Sequence, residues 1–197
     1  MIIGFTLDGV LRDHLSQLEY IFGKYLGAEP VDRSQVTSTD LTKYFPIQDE
    51  IKLRKFMYHE HALEIFGHAD QMEDNIFNDL NQFVEDINDD GEHSVVIVSR
   101  EADRSIPATM FFISKVGCKV QHYHFTTTYA DVWNYADIVV SAQPEILKEK
   151  PTGKLSIKIN TPYNTGIEGD LNLDSVKTLF NDRSYIEKLL GKKIITL

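Results

Sequence analysis

Apolar and polar positions follow two periods along this chain, and the switches between them lay out its elements. Met1-Ile2-Ile3-Gly4-Phe5 is an apolar run that passes straight into Thr6-Leu7-Asp8-Gly9-Val10, which reads as a strand entering a turn. Leu15, Leu18, Phe22 and Tyr25 with Leu26 then recur at spacings of three and four, one face of an amphipathic helix, and Gly27 and Pro30 end it. The pattern loosens over 31–67 into polar and aromatic residues, with 34–42 as loop and 51–66 as helical. Met72, Ile76, Phe77, Leu80, Phe83, Val84 and Ile87 restore a helical stripe, closed by Asn88-Asp89-Asp90-Gly91. Residues 94–99 form a β-branched run of the kind a parallel sheet buries on both faces.

The second half repeats the alternation: helix over 106–116, strand over 119–125, short helix over 130–135, strand over 137–140, helix over 145–149, strand over 156–159, and a helical region from Asp174 onward. Strands alternating with helices predict an α/β fold, a parallel sheet in the middle of three layers. Ligands of such sheets sit at the carboxyl ends of the strands. That rule singles out 6–9, Ser99-Arg100, Ser141-Ala142 and 160–164. No repeat or low-complexity segment interrupts the pattern.

Composition narrows the picture. With 197 residues, 42% hydrophobic and 25% charged, the chain supports one domain over 1–197, with about 28–70 as a small helical insertion. A formal net charge of −10 argues against a nucleic-acid partner, which needs clustered Lys and Arg. The single cysteine, Cys118, excludes an internal disulfide and fits a reducing compartment. No basic segment precedes the first apolar run, and no window approaches the roughly 18 apolar residues of a membrane span. The expectation is a cytoplasmic protein without membrane contact, or for a viral chain one of the virion or host cytoplasm.

Thr6-Leu7-Asp8-Gly9-Val10 resembles the opening motif of the haloacid dehalogenase superfamily, Asp-x-Asp-Gly-Thr or Asp-x-Asp-Gly-Val, with Thr6 where the first Asp stands. The strand ending in Ser99 resembles the second motif, and Ile159-Asn160-Thr161-Pro162-Tyr163-Asn164 is similar to a Pro-Tyr-Asn segment of the 5'(3')-deoxyribonucleotidase branch. The resemblance implies a Rossmann-type core with a helical cap between its first two core strands. It also implies a phosphate site in which Ser99 holds the phosphate and Asp8 is the general acid. The residue replaced by Thr6 is, in that family, both nucleophile and magnesium ligand.

The departures from the family weigh as much. The third motif's lysine has no counterpart in Thr126-Thr127-Thr128-Tyr129-Ala130-Asp131, which leaves Lys115 or Lys119 to reach the site from elsewhere. The paired acids of the fourth motif are Ser141-Ala142. A hard divalent cation depends on one or two carboxylates, which neutral hydroxyls do not replace. Losing one preorganised electrostatic element commonly costs about 2.7–4 kcal/mol of transition-state stabilisation. No catalytic set is therefore assigned, with Thr6 and Asp8 as the residual motif positions. Asp8 and Gly9 either build the turn or, with Asp8 as base, support a weak Thr6 nucleophile. Asp8, Gly9, Ser99 and Arg100 are the candidate phosphate-binding residues.

Other constellations are read as structural. His59-Glu60-His61 lacks the spacing of a helical metal site, and His122 with His124 lacks a third ligand, so no metal site is assigned. Lys148, Lys150, Lys154 and Lys158 form a solvated face or a contact for an acidic partner. Tyr44, Phe45, Phe56, Tyr58 and Phe66 are read as cap packing, or as a base-stacking site in an active nucleotidase. The resulting expectation is a catalytically degenerate nucleotidase-like protein that binds other protein chains within a larger assembly, such as that of a tailed bacteriophage. The contact is expected on the cap or on 174–197, with Tyr58 and Tyr185 exposed. The alternatives are a nucleotide phosphatase with atypical ligands, the one case that calls for Mg2+ as cofactor, and a non-hydrolysing nucleotide or phosphate sensor.

Overall fold

In the computed structural model, which describes residues 1–91, 93–182 and 184–188, the elements follow in the order β1 (Ile2–Phe5), β2 (Arg12–Asp13), α1 (His14–Leu26), α2 (Glu50–Lys55), β3 (Asp70–Gln71), α3 (Ile76–Asp90), β4 (Ser94–Arg100), α4 (Ser105–Lys115), β5 (Tyr123–Thr126), β6 (Ile138–Ser141), α5 (Pro144–Lys148), β7 (Leu155–Ile159), β8 (Leu171–Leu173) and α6 (Lys177–Asn181). Six strands form one parallel sheet in the order β5-β4-β1-β6-β7-β8. The first strand lies near the middle because it is apolar on both faces. Ile3 and Phe5 pair with Val95 and Ile97 on one side and with Ile138 and Val140 on the other. These residues share a core with Phe77, Leu80 and Phe83 of α3. The opposite face carries Val98 and Val139 against Val132, Trp133, Ala136 and Ile146. Each fully buried large apolar side chain stabilises the fold by about 1.5–3 kcal/mol relative to exposure. Gly4 lets a neighbour approach this strand closely, since a Cβ there would lie 2.7 Å from Ala136 Cβ and from Val98 Cγ1.

Between the first two core strands the chain leaves and returns through a short antiparallel ribbon, with Arg12 opposite Gln71 and Asp13 opposite Asp70. The intervening segment has its own apolar core, which draws in α1: Leu18, Ile21 and Phe22 pack with Phe45, Leu53, Phe56, Met57, Ile65 and Phe66. Phe22 stacks between Phe45 at 4.9 Å and Phe56 at 4.8 Å. This buried cluster is separate from that of the sheet, and the inserted segment is referred to as the cap.

Several boundaries differ from those the pattern predicts. On α1 the buried face is His14, Leu18, Ile21 and Phe22, while Tyr25 and Leu26 are exposed, because Gly27 adopts a left-handed φ of 63° and ends the helix there. The helix expected over 51–66 stops at Lys55 and continues as two π-helical turns, Phe56–Glu60 and Leu63–Gly67. Met72 precedes α3 and is exposed. The strand expected from 119 begins at Tyr123, because Asn81 holds the preceding turn by bonding to Gly117 O and Lys119 N. Strand β8, three residues long, was not expected at all. Of the C-terminal region expected as a contact surface, 183 and 189–197 lie outside the described residues. No helix among the described residues is long and apolar enough to cross a membrane.

Candidate functional site

The carboxyl ends of β1, β4 and β6 meet beneath the cap at a cleft of about 710 Å³ whose lining includes Thr6, Asp8, His14, Ser99, Arg100 and Tyr58. Four of the five residues singled out by motif position, Thr6, Asp8, Ser99 and Arg100, therefore line one cavity, and Gly9 is adjacent to it in the chain.

Thr6 is 3% exposed, and its Oγ1 lies 3.2 Å from both the Val140 carbonyl, to which it donates, and the Ser141 hydroxyl. Ser141 Oγ in turn accepts from Gln143 N at 3.0 Å. These hydroxyls close a local network at the strand ends, and the hydrogen-bond partners of Thr6 are not bases. The following loop is wound around the Leu7 carbonyl, which accepts from Val10, Leu11 and Arg12 N–H groups. Gly9 completes it at φ 77°, where a Cβ would stand 2.2 Å from Tyr163 Oη. Tyr163 is held in turn by the buried Asn164, whose Nδ2 donates to Ala142 O and Ile159 O.

Asp8 faces Arg12, whose Nε donates to its Oδ1 at 2.7 Å. Arg12 is 0% exposed; its Nη1 donates to Thr109 Oγ1 at 2.6 Å and its Nη2 to Glu101 Oε1 at 2.9 Å. Glu101 Oε1 also accepts from Ser99 Oγ at 3.2 Å. Burial alone would raise the Asp8 carboxyl, but the Arg12 guanidinium outweighs it and holds Asp8 below its ordinary range. Burial raises Glu101, with Arg12 opposing and Asp8 adding repulsion. His14 Nδ1 stands 3.4 Å from Asp8 Oδ1 without a hydrogen-bond partner. Burial lowers its pKa, so the imidazole is neutral at neutral pH and Arg12 is the cation that governs Asp8 there.

Arg100 is half-buried, with its guanidinium 4.8 Å from the Tyr129 ring centroid and Nε donating to Thr127 O at 3.3 Å. It flanks the cleft as a cation, with Nη1 3.5 Å from Tyr129 Oη, whereas the Ser99 hydroxyl points at a carboxylate. The lysines expected as substitutes go elsewhere: Lys115 Nζ donates to Ala69 O and Lys119 pairs with Glu85. The lysine cluster is likewise consumed internally, with Lys150 on Asp170, Lys154 on Asp137 and Lys158 on Ile167 O, leaving Lys148 exposed. His61 bonds Glu64 and packs on Tyr25, His59 lies 3.3 Å from Asp103, and His124 stacks on Tyr135. Of the cap aromatics, Phe45, Phe56 and Phe66 are buried in the cap core, with Tyr44 packed against it. Tyr58 is half-buried and lines the cleft, which corrects its expected exposure; Tyr185 packs against the sheet core.

The magnesium ion implied by the family resemblance does not fit this donor set. Thr6 and Ser141 offer neutral hydroxyls already bonded to each other, and the single nearby carboxylate on this loop, Asp8, carries a guanidinium at 2.7 Å. Among the described residues no group of three or more His, Cys, Asp or Glu is placed to hold a metal. Sequence reasoning missed Arg12, His14, Glu101 and Thr109. The one local signal was a charged residue directly after Val10-Leu11, in a run that the turn buries.

No family model matches the chain, and no curated protein matches it in sequence. Among solved structures it is similar to a dehalogenase with an intermediate complex, at 14% identity and a TM-score of 0.57, over 91% of this chain and 95% of that one. A haloacid dehalogenase-like hydrolase of Burkholderia xenovorans LB400 gives 13% identity and a TM-score of 0.59, over 94% and 97%. A haloacid dehalogenase-like family hydrolase of Xanthomonas campestris gives 12% and 0.52, over 98% and 97%. The chain has the haloacid dehalogenase-like α/β fold, as its motifs implied.

Proposed function

We propose that this is a catalytically degenerate, nucleotidase-like protein that binds a small anionic ligand in its cleft without hydrolysing it. The observation that carries the reading is the 2.7 Å ion pair between Asp8 and Arg12. A general acid must hold a proton to give to the leaving group, and a carboxylate fixed beside a buried guanidinium is kept ionised. Thr6, whose hydroxyl donates to a carbonyl, lacks an activating base. The nucleotidase branch itself rests on the Pro162-Tyr163-Asn164 segment and the order of motifs.

Of the two non-catalytic roles expected, assembly component and ligand sensor, the cleft favours the second. Tyr58 is turned into it, and Arg100 stands at its wall with a donor surface suited to an oxyanion. The test is an assay of the purified chain with nucleoside monophosphates and an aryl phosphate, with and without magnesium, alongside thermal denaturation in inorganic phosphate. No metal-dependent hydrolysis is expected, and phosphate should raise Tm by mass action, less so in Arg100→Ala. A metal-dependent rate abolished by Thr6→Val would overturn the degenerate reading. Absence of any shift with phosphate or nucleotide would overturn the binding reading and return the assembly role to first place.

A further inference from the structure

A buried arginine is costly unless its charge and all its donors are satisfied. Arg12 meets that requirement more completely than an incidental ion pair would. Its Nε, Nη1 and Nη2 each have a different acceptor, Asp8, Thr109 and Glu101, at 2.6–2.9 Å. Two aromatic rings lie near it as well, with its Cζ 5.1 Å from the Phe66 ring centroid and 5.7 Å from that of Phe112. The acceptors come from three separate parts of the chain: the first loop, the end of β4 and the middle of α4. The guanidinium therefore sits in a built cation site between two carboxylates, Asp8 and Glu101, of which Asp8 lines the cleft.

Extending the reading of the cleft as a non-hydrolysing binding site, we propose that Arg12 is the resident cation of this site and that the cleft works without a divalent metal. In a phosphatase site built from carboxylates, a bound metal offsets their charge and lets an anion approach. Here the charge is offset from within, by a cation that does not exchange with solvent. A divalent ion approaching Asp8 would meet a guanidinium already held on the same carboxylate as a like charge. The direction of the Asp8 pKa agrees: with Arg12 beside it, the carboxylate stays ionised without a metal.

Two measurements on the full chain decide this. The first is titration of the wild-type protein with Mn2+ alone, following free aqueous Mn2+ by electron paramagnetic resonance. No stoichiometric binding is expected at micromolar protein and metal, whereas one bound ion per chain, released by Thr6→Val, would overturn the proposal. The second compares Arg12→Lys, which keeps the charge, with Arg12→Met, which keeps the length without it. Tm should fall in the order wild type, Lys, Met; a Met variant as stable as the Lys variant would assign Arg12 a packing role and overturn it. If neither variant folds, the Mn2+ titration decides alone. Failure here is separable from failure of the functional reading. Mn2+ binding without hydrolysis removes the resident cation and leaves a degenerate binder, and metal-independent hydrolysis does the reverse.

Discussion

Thr39 Oγ1, in the cap, donates a 2.7 Å hydrogen bond to Glu145 Oε1 on the core, joining two positions 106 residues apart. The other carboxylate oxygen of Glu145 is buried and unpartnered among the described residues, so this bond is the one that compensates its desolvation. Thr39 lines the cleft, and the pair fastens the cap edge over it. Thr39→Val should destabilise the protein by about 1.5–3 kcal/mol, the usual worth of a hydrogen bond to a charged group. Backbone amides near residue 39 should exchange faster while those of the central strands are little changed, which hydrogen exchange resolved by residue would read.

The contact between Gly9 and Tyr163 sets the turn of the first loop. Alanine at position 9 takes on a left-handed backbone, worth about 1–2 kcal/mol, and places its Cβ 2.2 Å from Tyr163 Oη. Gly9→Ala is therefore expected to lower stability by more than the backbone cost alone. Adding Tyr163→Phe should recover part of the steric cost, because the next ring atom is 3.6 Å away, while the tight contact with Ala142 Cβ at 3.0 Å remains. Denaturant unfolding of the two single variants and the double variant gives the coupling; strict additivity would show that the ring moves aside.

Restoring the family's first carboxylate does not restore its chemistry. In Thr6→Asp the new carboxylate is placed in a 3% exposed position facing the Val140 carbonyl oxygen, with the Ser141 hydroxyl as its neighbour. Burying a charge with one donor costs several kcal/mol or leaves the group protonated. The expected outcome is a lower Tm and no phosphatase activity with magnesium; a gain of metal-dependent turnover would contradict it.

Acid stability should carry the mark of His14. Its folded pKa lies below the ordinary 6.5, chiefly through burial, with Arg12 and Arg33 also lowering it and Asp8 and Asp13 opposing. The unfolded chain then binds the proton first, so stability from this group is present above about pH 6.5 and is lost as pH falls towards the folded pKa. Asp8, lowered on folding, adds a loss at still lower pH, while Glu101, raised on folding, acts in the opposite direction. Tm should drop between pH 7 and 5, and His14→Gln should flatten that interval while leaving the more acid loss from Asp8. An unchanged profile would assign the acid transition to other groups.

Much of the fold was legible because it is written in local periods. Runs such as 94–99 and 137–140 have one apolar character over a strand's length, and the stripe of α3 repeats at a helix's spacing, so backbone geometry alone assigns them. Strand β8 was not legible: Leu171-Asn172-Leu173 is too short to carry a period and becomes a strand only by pairing with Ile157–Ile159. The helix predicted through the cap broke into π-helical turns for the same kind of reason, since the packing of Phe56 and Phe66 in the cap core is set by partners distant in sequence.

The chemistry divides along the same line. Which reactive groups are missing follows from residue identity, because Thr6 and Ser141 have no carboxylate wherever they are placed, and motif position named several of the side chains that line the cleft, Thr6, Asp8, Ser99, Arg100 and Tyr163 among them. What those side chains face is set by the folded chain. Ser99 points at Glu101, Tyr58 into the cleft, and Arg12 joins Asp8 to Glu101, which lies 89 residues beyond Arg12. An ion pair of that kind depends on strand ends and helices brought together by burial of the sheet's two faces, and no pattern along the chain records the distance between them.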